Sequence, residues 1–223
     1  MSDPTLAALM LWAIVVGLDL ASVLQGLLNR PLVAGAVAGV ILGDPGAGLR
    51  IGAALELFAL DVLPVGASRY PDYGAATVAA VVMAAHEPWV TALGPAVLLG
   101  VVLAQIGSGS IVVHRRVTAW ALRRTAAALD RGEPGVATRV HVAGIIADLL
   151  RSGALAALGI GLATWLARVP WLDLATARAL TIVAVAGGFV AAIGGALRRA
   201  GTARRIAWFA GGMALGVLGL ALR

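Results

Sequence analysis

Four apolar runs, residues 6–28, 89–113, 142–167 and 177–197, set the terms on which this chain can fold. A helix needs ~20 apolar residues to cross the hydrocarbon of a bilayer, and each run meets that length. Because lipid offers no hydrogen bonds, such runs must satisfy their own backbone, so they read as transmembrane helices and the fold as all-α. A fifth run, 206–222, is shorter and Gly-rich and reads either as a span with little tilt or as a dip into the membrane. Composition agrees: 61% of the residues are hydrophobic and 13% charged, with a mean hydropathy of +0.96, far from a soluble domain. The chain is expected to be a polytopic integral membrane protein with a single membrane domain over residues 1–223. Ser2, Asp3 and Pro4 precede the first run without a basic stretch, so that run is expected to stay rather than be cleaved as a signal peptide.

The net charge of +6 comes from 17 basic residues, all of them Arg, gathered between the apolar runs. Arg115, Arg116, Arg123, Arg124, Arg131 and Arg139 fall in the segment 114–140 against only Asp130 and Glu133, and Arg198, Arg199, Arg204 and Arg205 follow the fourth run. Both clusters are assigned to the cytoplasm and the connection "RVPWLDLATAR" between them to the opposite side. This clustering is not that of a nucleic-acid-binding surface, which intersperses basic residues with polar and aromatic ones. Within 114–140, "VTAWALRRTAAALD" reads as an amphipathic helix lying on the inner leaflet or as a solvated helical linker. There is no cysteine, which removes disulfides, thiolate metal sites and a thiol nucleophile. His86, His114 and His141 are too far apart for metal-ligand spacing, and no nucleophile–base set or phosphate-binding loop is present. No metal, cofactor or catalytic residue is assigned.

Residues 19–88 behave differently. "PLVAGAVAGVILG" and "LRIGAALELFALDVLPVG" are short for spans, broken by "GDPGAG", where Gly43, Asp44, Gly46 and Gly48 are expected to form a structural turn. Broken or re-entrant helices of this kind are tolerated where protein or water covers the backbone, and transporters place substrate there. Glu56 and Asp19 are carboxylates in apolar surroundings, costly unless they meet a ligand or a partner; for Glu56 the partner would be Arg50 or Arg69. Asp72 can cap a helix starting at Gly74 or bind a hydroxyl. Gln25 and Asn29 can hold hydroxyls or join helices. Asp148 and Arg151, three residues apart on one helix face, are expected to form a structural ion pair.

The words Arg30-Pro31, Gly43-Asp44, Gly52-Ala53, Leu55-Glu56-Leu57, Pro64-Val65-Gly66 and Pro71-Asp72, in this order and spacing, resemble the enzyme IIC component of the mannose/fructose/sorbose family of the bacterial phosphotransferase system. A weaker likeness continues from His141 to Arg151 and through "AVAGGFVAAIGGAL". The resemblance implies a sugar permease subunit of the bacterial inner membrane. It would assemble as an oligomer with a IID membrane subunit and meet the phosphocarriers IIA and IIB, the last of which phosphorylates the sugar. The phosphohistidines would lie on those partners, and Glu56 and Asp72 would bind sugar hydroxyls, joined by Gln25, Asp19 and Asn29. A second function stays open: a non-transporting regulatory or scaffold subunit that senses the state of phosphotransfer. An intramembrane enzyme acting through Asp19 and Glu56 has no supporting motif.

Overall fold

The computed structural model describes residues 1–23, 25–62, 68–85, 87–168 and 173–200, with isolated positions between 207 and 215. His86, the Pro64-Val65-Gly66 word, Trp171 and most of the run 206–222 lie outside the described residues. All regular structure among the described residues is helical: α1 (Asp3–Ala21), α2 (Pro31–Leu42), α3 (Pro45–Ala59), α4 (Tyr73–Ala84), α5 (Trp89–Asp130), α6 (Val136–Leu166) and α7 (Leu174–Ala200). Four of them, α1, α5, α6 and α7, are long and apolar enough to cross a membrane, one for each of the four long runs. The protein is a multi-pass, all-α membrane protein with broken helices in its N-terminal half.

Those broken helices are α2, α3 and α4. At 12 residues, α2 and α4 each rise about 18 Å, against the ~30 Å of hydrocarbon. Pro31 and Pro45 open α2 and α3, positions where the missing N–H is not needed. The turn between α2 and α3 is tighter than the six-residue "GDPGAG" suggests. Gly43 at φ 78° ends α2, and Asp44 caps α3 by accepting the Ala47 amide at 2.9 Å. Gly46 and Gly48 are therefore helical, and Gly48 serves packing: a Cβ on Gly39 would lie 2.8 Å from the Gly48 Cα and 2.7 Å from the Asp44 carbonyl oxygen. Bare backbone on both helices lets the hairpin close. Helix α4 is enveloped, with every residue but Val82 buried. It anchors a core of Ala, Val and Leu running from Leu9 of α1 to Ala163 of α6.

Two further expectations are corrected. The first run does not continue to residue 28, because α1 stops at its C-cap Ser22 and Asp19 turns back to accept the amides of Gly26 (2.6 Å) and Asn29 (3.0 Å). The basic segment 114–140 is not a separate helix in the membrane plane. No Gly or Pro interrupts residues 111–130, so α5 runs on for 42 residues, about 63 Å, to Asp130. The turn to α6 comes only where Gly132 (φ 67°) and Gly135 (φ 77°) allow it.

Met1, Thr5, Leu42, Val82, Ala85 and Arg168 surround one hollow. The start of α1 and the ends of α2, α4 and α6 therefore share one face. Ser22, His114 and His141 line another hollow at the opposite, Arg-rich end. On the expectation that the Arg-rich end faces the cytoplasm, α1 would begin outside and end inside, and the inner ends of α2 and α4 would lie within the membrane.

Candidate functional site

A cavity of about 300 Å³ lies where these broken helices begin. Asp19 and Leu20 come from the end of α1, Gln25, Leu27, Asn29 and Arg30 from the α1–α2 connection, Pro31 from α2, Ala59 and Val62 from the end of α3, and Pro71 and Tyr73 from the start of α4. The first residues of both α2 and α4 are in its wall, so the partial positive charge of two helix N-termini faces it. With both helices only about 18 Å long from the Met1–Arg168 face, the cavity lies toward the Arg-rich end of the bundle.

Local chemistry shapes the wall. Asp19 is 1% exposed, and its two amide bonds wrap the connection over the end of α1. Within that wrap Gln25 (φ 51°) and Leu27 (φ 68°) hold left-handed conformations that cost non-Gly residues on the order of 1–3 kcal/mol each. Such strain persists only where its surroundings enforce it, and here it turns Gln25 and Asn29 into the cavity lining. Among the described residues neither side-chain amide is hydrogen-bonded to another protein group, leaving donors and acceptors for a ligand.

Glu56 and Asp72 stand outside the lining. Glu56 accepts Arg30 Nε at 2.7 Å, Arg30 Nη2 and the Leu32 amide at 3.1 Å, so its partner is Arg30 rather than Arg50 or Arg69. The pair fixes Arg30, which does line the cavity and also donates to the Ala59 carbonyl at 3.3 Å. Asp72 occupies the N-cap position of α4, which starts at Tyr73, one residue before the expected Gly74, but it makes no capping bond. Fully buried, it accepts Arg151 Nη1 on Oδ2 at 3.0 Å. Its Oδ1 has no hydrogen-bond partner among the described residues, although the Ala75 amide faces the carboxylate. Arg151 Nε also donates to Asp148 at 2.6 Å, the i,i+3 pair. Of the five expected sugar ligands, the structure thus gathers Asp19, Gln25 and Asn29 at one cavity and directs Glu56 and Asp72 to arginines. Arg30, Pro71 and Tyr73 were missed as site residues. The signal for Arg30 was a cation beside an apolar helix start with a carboxylate further along an apolar run.

Comparison with known proteins adds a decisive observation: the family model described as the PTS system sorbose-specific IIC component matches residues 5–217. The chain belongs to this family of phosphotransferase-system IIC components. It is 27% identical over 172 residues to the mannose-specific EIIC component of Escherichia coli K12, covering 76% of this chain and 63% of that protein. The fructose permease IIC component of Bacillus subtilis 168 is 29% identical over 152 residues, 68% of this chain and 55% of that one. The sorbose-specific EIIC component of Klebsiella pneumoniae is 39% identical over 92 residues, 40% and 33% respectively. The chain thus spans less than two thirds of the length of the curated relatives it matches. A solved structure of the mannose transporter ManYZ with microcin E492 shares the fold at a TM-score of 0.60 and 22% identity, over 100% of this chain and 94% of that one. Another solved membrane protein does so at 0.76 and 21%, with the same coverage. The IIC fold is therefore carried by the described helices.

Proposed function

We propose that this chain is the permease subunit of a mannose-type phosphotransferase system, binding a sugar in the cavity below α2 and α4 and passing it to a IIB partner for phosphorylation. One observation carries the reading: two half-length helices aim their N-termini at a cavity whose lining combines Asp19, Gln25, Asn29 and Arg30. Each sugar hydroxyl both donates and accepts, and this lining offers a carboxylate acceptor, two side-chain amides with both capacities, and a guanidinium donor. Glu56 and Asp72 then act behind the lining by fixing Arg30 and the start of α4. Membership of the IIC family, and relatives named for mannose, fructose and sorbose, support a sugar as the ligand. By the same likeness the chain would sit in the bacterial inner membrane beside a IID-like subunit in an oligomer, with IIA and IIB reaching it from the cytoplasm.

The test is binding of labelled hexoses and amino sugars to the chain purified with its membrane partner. Asn29→Ala and Gln25→Ala should each weaken saturable binding about tenfold, the worth of one good hydrogen bond. No saturable binding by the folded wild-type complex across the panel would overturn the reading and favour a regulatory subunit.

A further inference from the structure

Arg151 is not in the cavity lining, yet its hydrogen bonds reach the α1 and α4 sides of the cavity. From the middle of α6 its guanidinium presents five N–H donors, and five acceptors surround it. Nε donates to Asp148 Oδ1 at 2.6 Å, Nη1 to Asp72 Oδ2 at 3.0 Å and Ser110 Oγ at 3.1 Å, and Nη2 to Gly17 O at 3.4 Å and Ser152 Oγ at 3.1 Å. The side chain is 7% exposed and both carboxylates 0%. An ion pair along one helix would use only the Asp148 contact.

Two of the remaining partners, Asp72 and Gly17, belong to the frame of the cavity. Asp72 lies between Pro71 and Tyr73, both in the lining. Gly17 is two residues before Asp19 on α1. Asp148 in turn accepts the hydroxyl of Ser22, the C-cap of α1 from which the connection bearing Gln25 and Asn29 departs. A Cβ on Gly107 of α5 would lie 2.6 Å from the Asp72 Cβ, so the helix facing this carboxylate leaves room for it. We propose that Arg151 is a positioning residue of the sugar site, holding the end of α1 and the start of α4 at a fixed separation so that the lining between them keeps its shape. The identity of the ligand rests on the proposed function; the clamp itself does not.

Lysine has three donors on a point charge and cannot serve five acceptors in a planar fork, so Arg151→Lys should loosen the clamp while retaining the charge. A second variant, Asp72→Asn/Arg151→Met/Asp148→Asn, removes all three charges together, a change that buried ion networks commonly tolerate. Both are measured in the full complex. The chain has no cysteine, so Leu20→Cys, buried at the cavity wall, can report on that wall and Leu9→Cys on the core elsewhere. In each variant we expect thiol labelling of Leu20→Cys to speed up about tenfold, Leu9→Cys to stay protected, and the uptake KM to rise about tenfold at unchanged maximal rate per folded transporter.

If Arg151→Lys does not fold, the charge-neutral triple variant decides alone. Unchanged Leu20→Cys labelling and unchanged KM in a folded variant would overturn the proposal. So would faster labelling of Leu9→Cys to the same degree, which marks general loosening. If the wild type binds no sugar but Leu20→Cys still responds selectively, the clamp stands and only the ligand assignment falls.

Discussion

Arg30 and Glu56, 26 residues apart in sequence, close the inner end of the α2–α3 hairpin: Arg30 Nε donates to Glu56 Oε1 at 2.7 Å while the carboxylate also takes the Leu32 amide in the first turn of α2 at 3.1 Å. One carboxylate thus neutralises a cation and satisfies a helix N-terminus beside the cavity wall. The outer end of the same hairpin is closed by the Gly43–Asp44 turn.

Glu56→Gln places an amide donor against the Arg30 guanidinium and removes the charge from its hydrogen bonds. The expected loss is about 1.5–3 kcal/mol of stability, the range for hydrogen bonds to charged groups, read as a lower melting temperature of the detergent-solubilised protein. Sugar affinity should fall less than in Asn29→Ala, because Glu56 supports the wall without lining it. A larger affinity loss in Glu56→Gln at unchanged stability would make Glu56 a direct ligand.

Gly39→Ala tests the other determinant of the hairpin. Its Cβ would meet backbone atoms, the Asp44 carbonyl oxygen at 2.7 Å and the Gly48 Cα at 2.8 Å, rather than a side chain that can move aside. Overpacking of this kind costs about 1–3 kcal/mol, and α2 and α3 must separate to relieve it. Gly144→Ala, where nothing lies within 4 Å, should leave the melting temperature within a degree or so of wild type.

How much of this was legible follows from the range of each interaction. The four spans could be read from run length, since hydrophobic thickness fixes it, and the broken half from Pro31 and Pro45. Where a run ends was less visible: α1 stops at Ala21 although Leu24, Leu27 and Leu28 continue its apolar character, because Asp19 draws two later amides back onto itself. The continuation of α5 through residues 114–130 reflects a missing breaker, which the charge pattern hid. At the site, Asp19, Gln25 and Asn29 stood out as polar residues in an apolar run. Asp72 and Arg151 are 79 residues apart, and no periodicity links them; only the fold brings Arg151 beneath the start of α4.

Asp173 offers a prediction about pH. It precedes α7, and the Thr176 hydroxyl, together with the Thr176 amide at 2.7 Å from Oδ1, holds its carboxyl below the ordinary carboxylate value. A depressed carboxylate contributes stability that is complete above the unfolded pKa of about 3.9 and is lost as pH falls through the lower folded value. The first turn of α7 should therefore stay protected from amide exchange at neutral pH and fray only on acidification below about pH 4. Thr176→Ala should move the Asp173 titration midpoint, followed by NMR, upward toward the ordinary value. An already ordinary midpoint in the wild type would contradict this arrangement.

The topology is testable with the same cysteine-free background. Met1 and Thr5 share a hollow with Arg168 at the end of α6, whereas the α5–α6 turn stands at the far end of a helix about twice the thickness of the hydrocarbon. Six arginines between residues 115 and 139 predict that turn in the cytoplasm, and the geometry would then put the N-terminus outside. In intact spheroplasts a membrane-impermeant maleimide should label Ser2→Cys, and should reach Gly132→Cys only after permeabilisation. Gly132 has φ 67°, so Cys there strains the turn, and Glu133→Cys serves as a second probe of the same side. Labelling of both ends from one side would mean an even number of crossings between them. In the structure α1 and α5 each cross once, and α2, α3 and α4 together lead from the inner end to the outer face as a third crossing, so labelling of both ends from one side would contradict this arrangement.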